Sequence, residues 1–296
     1  MNDCAIRARA LTKRYGKSRG IEGLDLEVRS GEIFGFIGPN GAGKTTTIRT
    51  LLNLIFPTSG TAEVFGMDVV KRTREIKREI GYVPADVKYY PGMTVRELLA
   101  YSAAFHGPGK AGGVEELTER LGLDMGRRID ELSTGNAKKV AIVQSLLHRP
   151  RLLILDEPTN GLDPLVQKTF YDLLVEENAA GATIFFSSHV LSEVERLCRR
   201  VAVVKEGRVI ATEEVAALRR KQLRKVSFVA AREVGPRDFP SGGASAFSRE
   251  GDAVRLLYAG DSAALVGELS ALHPQDLLIE EPSLEEIFLH YYAKEA

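Results

Sequence analysis

Residues Ile33 to Asn53 read IFGFIGPNGAGKTTTIRTLLN, and this stretch decides the fold. Ile33 to Ile37 has the length and apolar composition of a buried strand, and Thr45 to Asn53 has helical character. Between them GPNGAGKT, Gly38 to Thr45, fits G-x-x-x-x-G-K-[ST] in the strand–loop–helix setting that gives this pattern its meaning. Small residues allow the backbone N–H groups of Gly41, Ala42 and Gly43 to turn inward around a phosphate. The helix that follows adds the positive end of its dipole. Lys44 is placed to set a point charge on the β and γ phosphates, and the Thr45 hydroxyl to ligate Mg²⁺. Gly38, Pro39, Asn40 and Thr46 complete the expected nucleotide-contacting set. A glycine turn with an exposed lysine is the alternative, and the setting argues against it. By itself the loop specifies ATP or GTP.

Outward from this loop, short β-rich segments alternate with helical patterns to about residue 215, the rhythm of an α/β domain with a parallel sheet. Thr94 and Glu97 form a capping box that opens a helix with Val95, Leu98, Leu99 and Ser102 on one face. Arg151 to Leu155 and Thr183 to Phe186 read as interior strands. Asp163 with Pro164 starts the helix between them, and Gly181 closes it. Beyond Ile210, Glu213 to Arg224 reads as a charged linking helix. Lys225 to Ala231 and Ala253 to Tyr258 read as strands around a turn at Pro240 to Ser245, and a last helix opens at a Ser283/Glu286 capping box, burying Leu284, Ile287, Phe288 and Tyr291. The expected division is 1–215 for the nucleotide domain, with a helical subdomain at about 86–148, and 216–296 for a small α+β domain.

Composition narrows the partners. Lys and Arg number 40, Asp and Glu 40, so no net basic field points to nucleic acid. From Asp261 onward acids face only Lys294. Cys4 and Cys198 are too few for a disulfide framework or a zinc site, which suits a reducing compartment. Apolar runs such as Leu51 to Phe56 fall far short of the roughly 20 residues that span a bilayer, so a role at a membrane requires another chain.

The segment LLILDEP, Leu152 to Pro158, is an apolar strand ending in two acids. Such a pair is often only solvated or capping. Downstream of a phosphate loop, Asp156 is expected to hold Mg²⁺ through water and Glu157 to polarise the attacking water as general base.

With these motifs in place the sequence resembles the ATP-binding-cassette (ABC) ATPases over about residues 5 to 215. LSTGN, Leu132 to Asn136, looks like the family's LSGGQ signature. TNGLD, Thr159 to Asp163, resembles the loop after the catalytic acids, and SSH, Ser187 to His189, the switch histidine. The resemblance implies a P-loop cassette that binds and hydrolyses Mg-ATP in a head-to-tail dimer. Ser133 and Gly135 of one subunit would then face the γ-phosphate held by the other. It also implies that His189 contacts the γ-phosphate behind a Ser192/Glu195 capping box, that Tyr15 stacks on adenine, and that Asp163 organises the nucleotide-bearing interface. The plainer alternatives are a helix-capping or packed His189, a core Tyr15 and a helix cap at Asp163, the last compatible with the interface role.

Two positions depart from the pattern. Ala85, with Asp86 next to it, occupies the place of a glutamine that ligates Mg²⁺ and links nucleotide to membrane partner; Asp86 or a water is the candidate substitute. The signature has Thr134 and Asn136 at less direct positions. Glu157 is intact, which argues against a regulatory cassette without turnover.

Family likeness implies use of ATP for transport through a separate membrane permease, docked on about Gly81 to His106 from the cytoplasmic face of the membrane. The ending EEPSLEEIFLHYY looks like that of subunits serving drug, antibiotic and sodium exporters. The alternative is a soluble mechanical ATPase acting on ribosomes or DNA, which the single cassette and the lack of a coiled-coil insertion disfavour.

Overall fold

The strand expected at Ile33–Ile37 is present with those bounds, and all five of its residues are buried. A computed structural model places it at the centre of the chain's main sheet, describing residues 4–16, 18–106, 113–219, 223–230 and 232–282. The chain divides into two compact units, Met1–Thr212 and Glu213–Ala296.

In the first unit, β1 (Cys4–Tyr15) and β2 (Ser18–Arg29) pair antiparallel before β3 (Ile33–Ile37) and helix α1 (Lys44–Leu51). Next come β4 (Ser59–Val64), β5 (Met67–Asp68), α2 (Thr73–Glu79) and β6 (Ile80–Val83). Helices α3 (Val95–Ala104), α4 (Val114–Arg120) and α5 (Thr134–Leu146) precede β7 (Leu152–Asp156). Then follow α6 (Pro164–Ala179), β8 (Thr183–Ser188), α7 (Leu191–Leu197), β9 (Arg200–Lys205) and β10 (Arg208–Glu214). One sheet has the order β2-β1-β4-β5, the other β10-β9-β3-β8-β7-β6.

From β9 across to β6 the second sheet is parallel, as expected. Its register puts Ile37 opposite Ser188, and Asp156 opposite Ser187. The loops leaving β3, β7 and β8 therefore emerge side by side at the carboxyl ends of their strands, the usual place for a ligand in such a sheet. The sheets share a core in which Leu11, Ile21 and Leu24 pack with Phe34, Phe36, Ile48, Leu51 and Phe185. The rings of Phe36 and Phe185 lie 5.1 Å apart. Each such buried side chain contributes roughly 1.5–3 kcal/mol relative to exposure, an upper estimate for a compact unfolded chain.

The capping box at Thr94 and Glu97 forms as expected, with the Glu97 carboxylate accepting from the Thr94 N–H at 2.7 Å. A second expected box, Ser192 with Glu195, does not form: α7 begins at Leu191, so both residues lie inside it. Ser188 supersedes it, accepting from the Val190 N–H at 2.8 Å and donating to Glu193 at 2.6 Å.

The second unit contains α8 (Val215–Arg219), β11 (Leu223–Val229), β12 (Ala244–Glu250), β13 (Ala253–Ala259), α9 (Ser262–Leu272) and β14 (Gln275–Glu280). Its strands form an antiparallel sheet of order β12-β13-β11-β14. Val226, Phe228, Leu256, Tyr258, Leu265 and Leu269 form its core. Of the linking helix expected over Glu213 to Arg224, α8 is present among the described residues, whereas Glu213 and Glu214 belong to β10 and Leu223 and Arg224 to β11. The final helix expected from Ser283 lies outside the described residues. Among the described residues no helix is long and apolar enough to cross a membrane.

Candidate active site at the ends of three parallel strands

The phosphate loop leaves β3 and closes on α1 through Gly43, whose φ of 105° is open to glycine and strained for other residues. Behind it, the Gly207 N–H donates to the Ala42 carbonyl at 2.8 Å. Pro39, Asn40 and Gly41 face solvent, while Thr45 and Thr46 are half-buried. Lys44 is buried, and its ammonium donates to the carbonyls of Gly38 at 2.7 Å and Pro39 at 3.2 Å. The same Nζ lies 3.2 Å from Glu157 Oε1. Tyr15 is exposed, and it and Thr46 flank Gly20: a Cβ there would stand 3.1 Å from the Tyr15 ring and 3.2 Å from Thr46 Cγ2.

At the end of β7 the chain turns through Glu157, which has a φ of 45°. The turn is held by the Glu157 N–H, donating to the Ser187 carbonyl at 3.1 Å. Glu157 Oε2 accepts from Asn160 at 2.7 Å and lies 3.1 Å from His189 Nδ1. Partial burial alone would raise the Glu157 carboxyl, but the Lys44 ammonium, then Asn160 and His189, outweigh it and hold the group below the usual glutamate range. It is therefore ionised through neutral pH, as a base must be. Lys44, Glu157 and His189, far apart in sequence, meet here in one polar cluster.

Asp156 differs. It is fully buried, and burial pushes its carboxyl up, partly countered by the hydroxyls of Ser187 and Thr45. Ser187 donates to Oδ1 at 2.9 Å, whereas buried Oδ2 has no hydrogen-bond partner. A buried carboxylate oxygen without a partner is costly. One carboxylate beside one hydroxyl, short of a protein cage, matches how Mg²⁺ is held when phosphates and water supply its other ligands. The residues present fit that ion.

The signature segment is built otherwise. Ser133 is exposed at the start of α5, its hydroxyl accepting from the Asn136 N–H at 3.3 Å. Gly135 passes so close to the next loop that a Cβ would lie 2.6 Å from the Gly161 carbonyl oxygen, so only glycine fits. Asp163, also exposed, caps α6 by accepting from Leu165 and Val166 N–H at 3.1 and 3.0 Å. The cap anticipated for it is therefore present. The described hydrogen bonds of Ser133 and Asp163 serve their own helix starts.

Three contributors escaped the sequence reading. Asn160 and Ser187 orient the two acids, although both lie inside motifs recognised there. Lys138 was a legible anomaly, a lysine on the buried phase of α5 with Ile142 and Ser145. It donates to the carbonyls of Pro84, Ala85 and Glu157 at 2.8, 2.7 and 3.4 Å. Asp86, the candidate substitute for the missing glutamine, instead points outward, largely exposed and 3.4 Å from Lys88.

The model of the ABC transporter family matches residues 21–160. The bacitracin transport ATP-binding protein BcrA of Bacillus licheniformis is 40% identical over 229 residues, 75% of this chain and 74% of that protein. The chain belongs to the ABC transporter ATP-binding proteins. The Nod factor export ATP-binding protein I of Paraburkholderia xenovorans (strain LB400) is 38% identical over 74% of this chain and 73% of its own. Among solved structures, the ATP-binding subunit of an ABC transporter superposes with a TM-score of 0.68 at 31% identity, covering 73% of this chain and 92% of that one. This ABC subunit is accordingly an ATPase that binds ATP and powers transport with a separate permease. A mechanical ATPase of ribosomes or DNA is not favoured.

Proposed function

We propose that the cluster of Lys44, Asp156, Glu157 and His189 is the hydrolytic centre, and that two copies of the chain complete it head to tail. The convergence of the Lys44 ammonium and the His189 ring on the two oxygens of the Glu157 carboxylate carries this reading. Gly38 to Thr46 wrap the phosphates, and Tyr15, beside Thr46, stacks on the adenine. Thr45 and Asp156 would hold Mg²⁺, which when bound neutralises charge on the β and γ phosphates. Lys44 must exchange its loop carbonyls and Glu157 for phosphate oxygens. Glu157, freed from the lysine, accepts the proton of the attacking water, while His189 donates toward the γ-phosphate. Ser133 and the N-terminus of α5 approach from the second copy, and Asp163 orders the interface between them.

On the same reading the permease docks from the cytoplasmic face into a groove of about 540 Å³ lined by Arg49, Tyr82, Lys88, Tyr89, Gln144 and His148. Tyr90, Tyr101 and Phe105, on the segment that borders it, are exposed apolar anchors. The similarity to the Nod factor export ATP-binding protein I supports export as the direction.

The test of the centre is Glu157→Gln. Turnover is expected to fall at least about 100-fold, roughly 2.7 kcal/mol in the barrier, with ATP still bound. Hydrolysis within threefold of wild type would remove Glu157 from the role.

A further inference from the structure

Lys138 is 1% exposed and lies in the second turn of the helix that the signature opens. A lysine so placed is normally excluded from a protein interior unless its charge is matched. Its three described partners are all main-chain oxygens: Pro84 and Ala85 on the loop leaving β6, and Glu157 on the turn leaving β7. An ammonium has three donors and no acceptor, so the three carbonyls match its capacity. Burial lowers its affinity for the proton, while Asp156, Asp86 and Glu157 oppose that effect. Further along α5, Gln144 accepts from the Tyr89 hydroxyl at 3.1 Å and donates to Ser102 at 2.7 Å. The loop from Pro84 to Tyr89 is thus fastened to the signature helix at two heights, and Lys138 is the fastening that also reaches the catalytic turn.

We propose that Lys138 is a positioning residue for hydrolysis: its ammonium ties the loop at Pro84–Ala85 to the main chain of Glu157. Through that tie the loop sets the placement of the Glu157 carboxylate. The proposal rests on the reading of Glu157 as general base. It explains how a chain with alanine at position 85 joins this loop to the chemistry: main-chain oxygens, which any residue supplies, stand where a side chain would have been needed. Lys138 touches neither the loop of Gly38–Thr45 nor Tyr15 in any described contact, so its removal is predicted to slow the chemical step and spare nucleotide binding.

The experiment compares full-length wild type, Lys138→Gln, Lys138→Met and Glu157→Gln. The readouts are kcat and KM for Mg-ATP, ATP affinity by equilibrium binding, and amide exchange over 84–89 and 157–160. Lys138→Met is expected to lose at least about tenfold in kcat, about 1.4 kcal/mol, with KM and affinity within threefold and faster exchange in both segments. Lys138→Gln, which keeps two donors on a shorter stem, is expected to fall three- to fivefold. Lys138→Met at the wild-type rate, or a loss seen in KM and affinity rather than kcat, would overturn the proposal. If Lys138→Met does not fold, Lys138→Gln decides alone, and wild-type kcat in that variant overturns it. Inactive Glu157→Gln beside unimpaired Lys138 variants would refute the positioning role only. Active Glu157→Gln would refute the base on which it rests.

Discussion

The phosphate loop and the signature segment begin helices in the same domain, yet they are finished to different degrees. Lys44 is buried and its neighbours are engaged: two carbonyls and the Glu157 carboxylate hold its ammonium, and the exposed His189 and Asn160 hold the other oxygen of that carboxylate. Around Ser133 the surface is open, and the hydroxyl does no more than cap its own helix. Lys44 and Glu157 are engaged with each other while Asp156 Oδ2 is left without a partner; the signature presents an exposed helix start. On the proposed function the difference assigns nucleotide affinity to the first region and makes turnover depend on a surface that a second copy would complete.

The largest way to break this contrast is Lys44→Ala. ATP affinity of the isolated chain is expected to drop about 100-fold, roughly 2.7 kcal/mol, by equilibrium binding. Undiminished affinity would mean that the buried half is not the nucleotide-binding half. Ser133→Ala sharpens it from the other side. Turnover should fall about tenfold while single-chain ATP affinity stays within threefold, and the lost cap should cost about 1 kcal/mol in a melt. Weakened ATP binding by the single chain would place Ser133 in the wrong half.

The smallest effect concerns Asp156 and pH. Its folded carboxyl is harder to ionise than the unfolded one, because burial raises it. That contribution to stability is complete below the unfolded value of about 3.9 and is lost as pH rises through the folded value. Asp156→Asn removes the titration, so its melting temperature without nucleotide should gain on wild type as pH goes from 4 to 7. A difference that stays flat with pH would show that the buried charge is not what limits the unliganded fold.

Much of this arrangement could be read from sequence where the signal was local. Gly38 to Thr45, the strand ending in Asp156, and the caps at Thr94 and Asp163 each declare themselves within a few residues. The meeting of Lys44, Glu157 and His189 depends on the sheet register, Ile37 beside Ser188 and Asp156 beside Ser187, which no short window encodes. Position 86 misled because a nearby carboxylate was judged by chemistry without its direction. In the C-terminal unit the strand Ala244–Glu250 was missed because an irregularity between Ser245 and Ser248 breaks its alternation. The helix Ser262–Leu272 was missed despite its Asp261 cap, since an apolar, alanine- and glycine-containing run gives little contrast between faces.

The claim that the two halves belong to one site, shared between copies, is tested most directly by the mass of Glu157→Gln in solution. With ATP the account predicts a species of twice the chain mass, one nucleotide per chain, and return to single-chain mass when Ser133→Arg is added. A protein that binds ATP fully yet keeps single-chain mass at every concentration of nucleotide would contradict it.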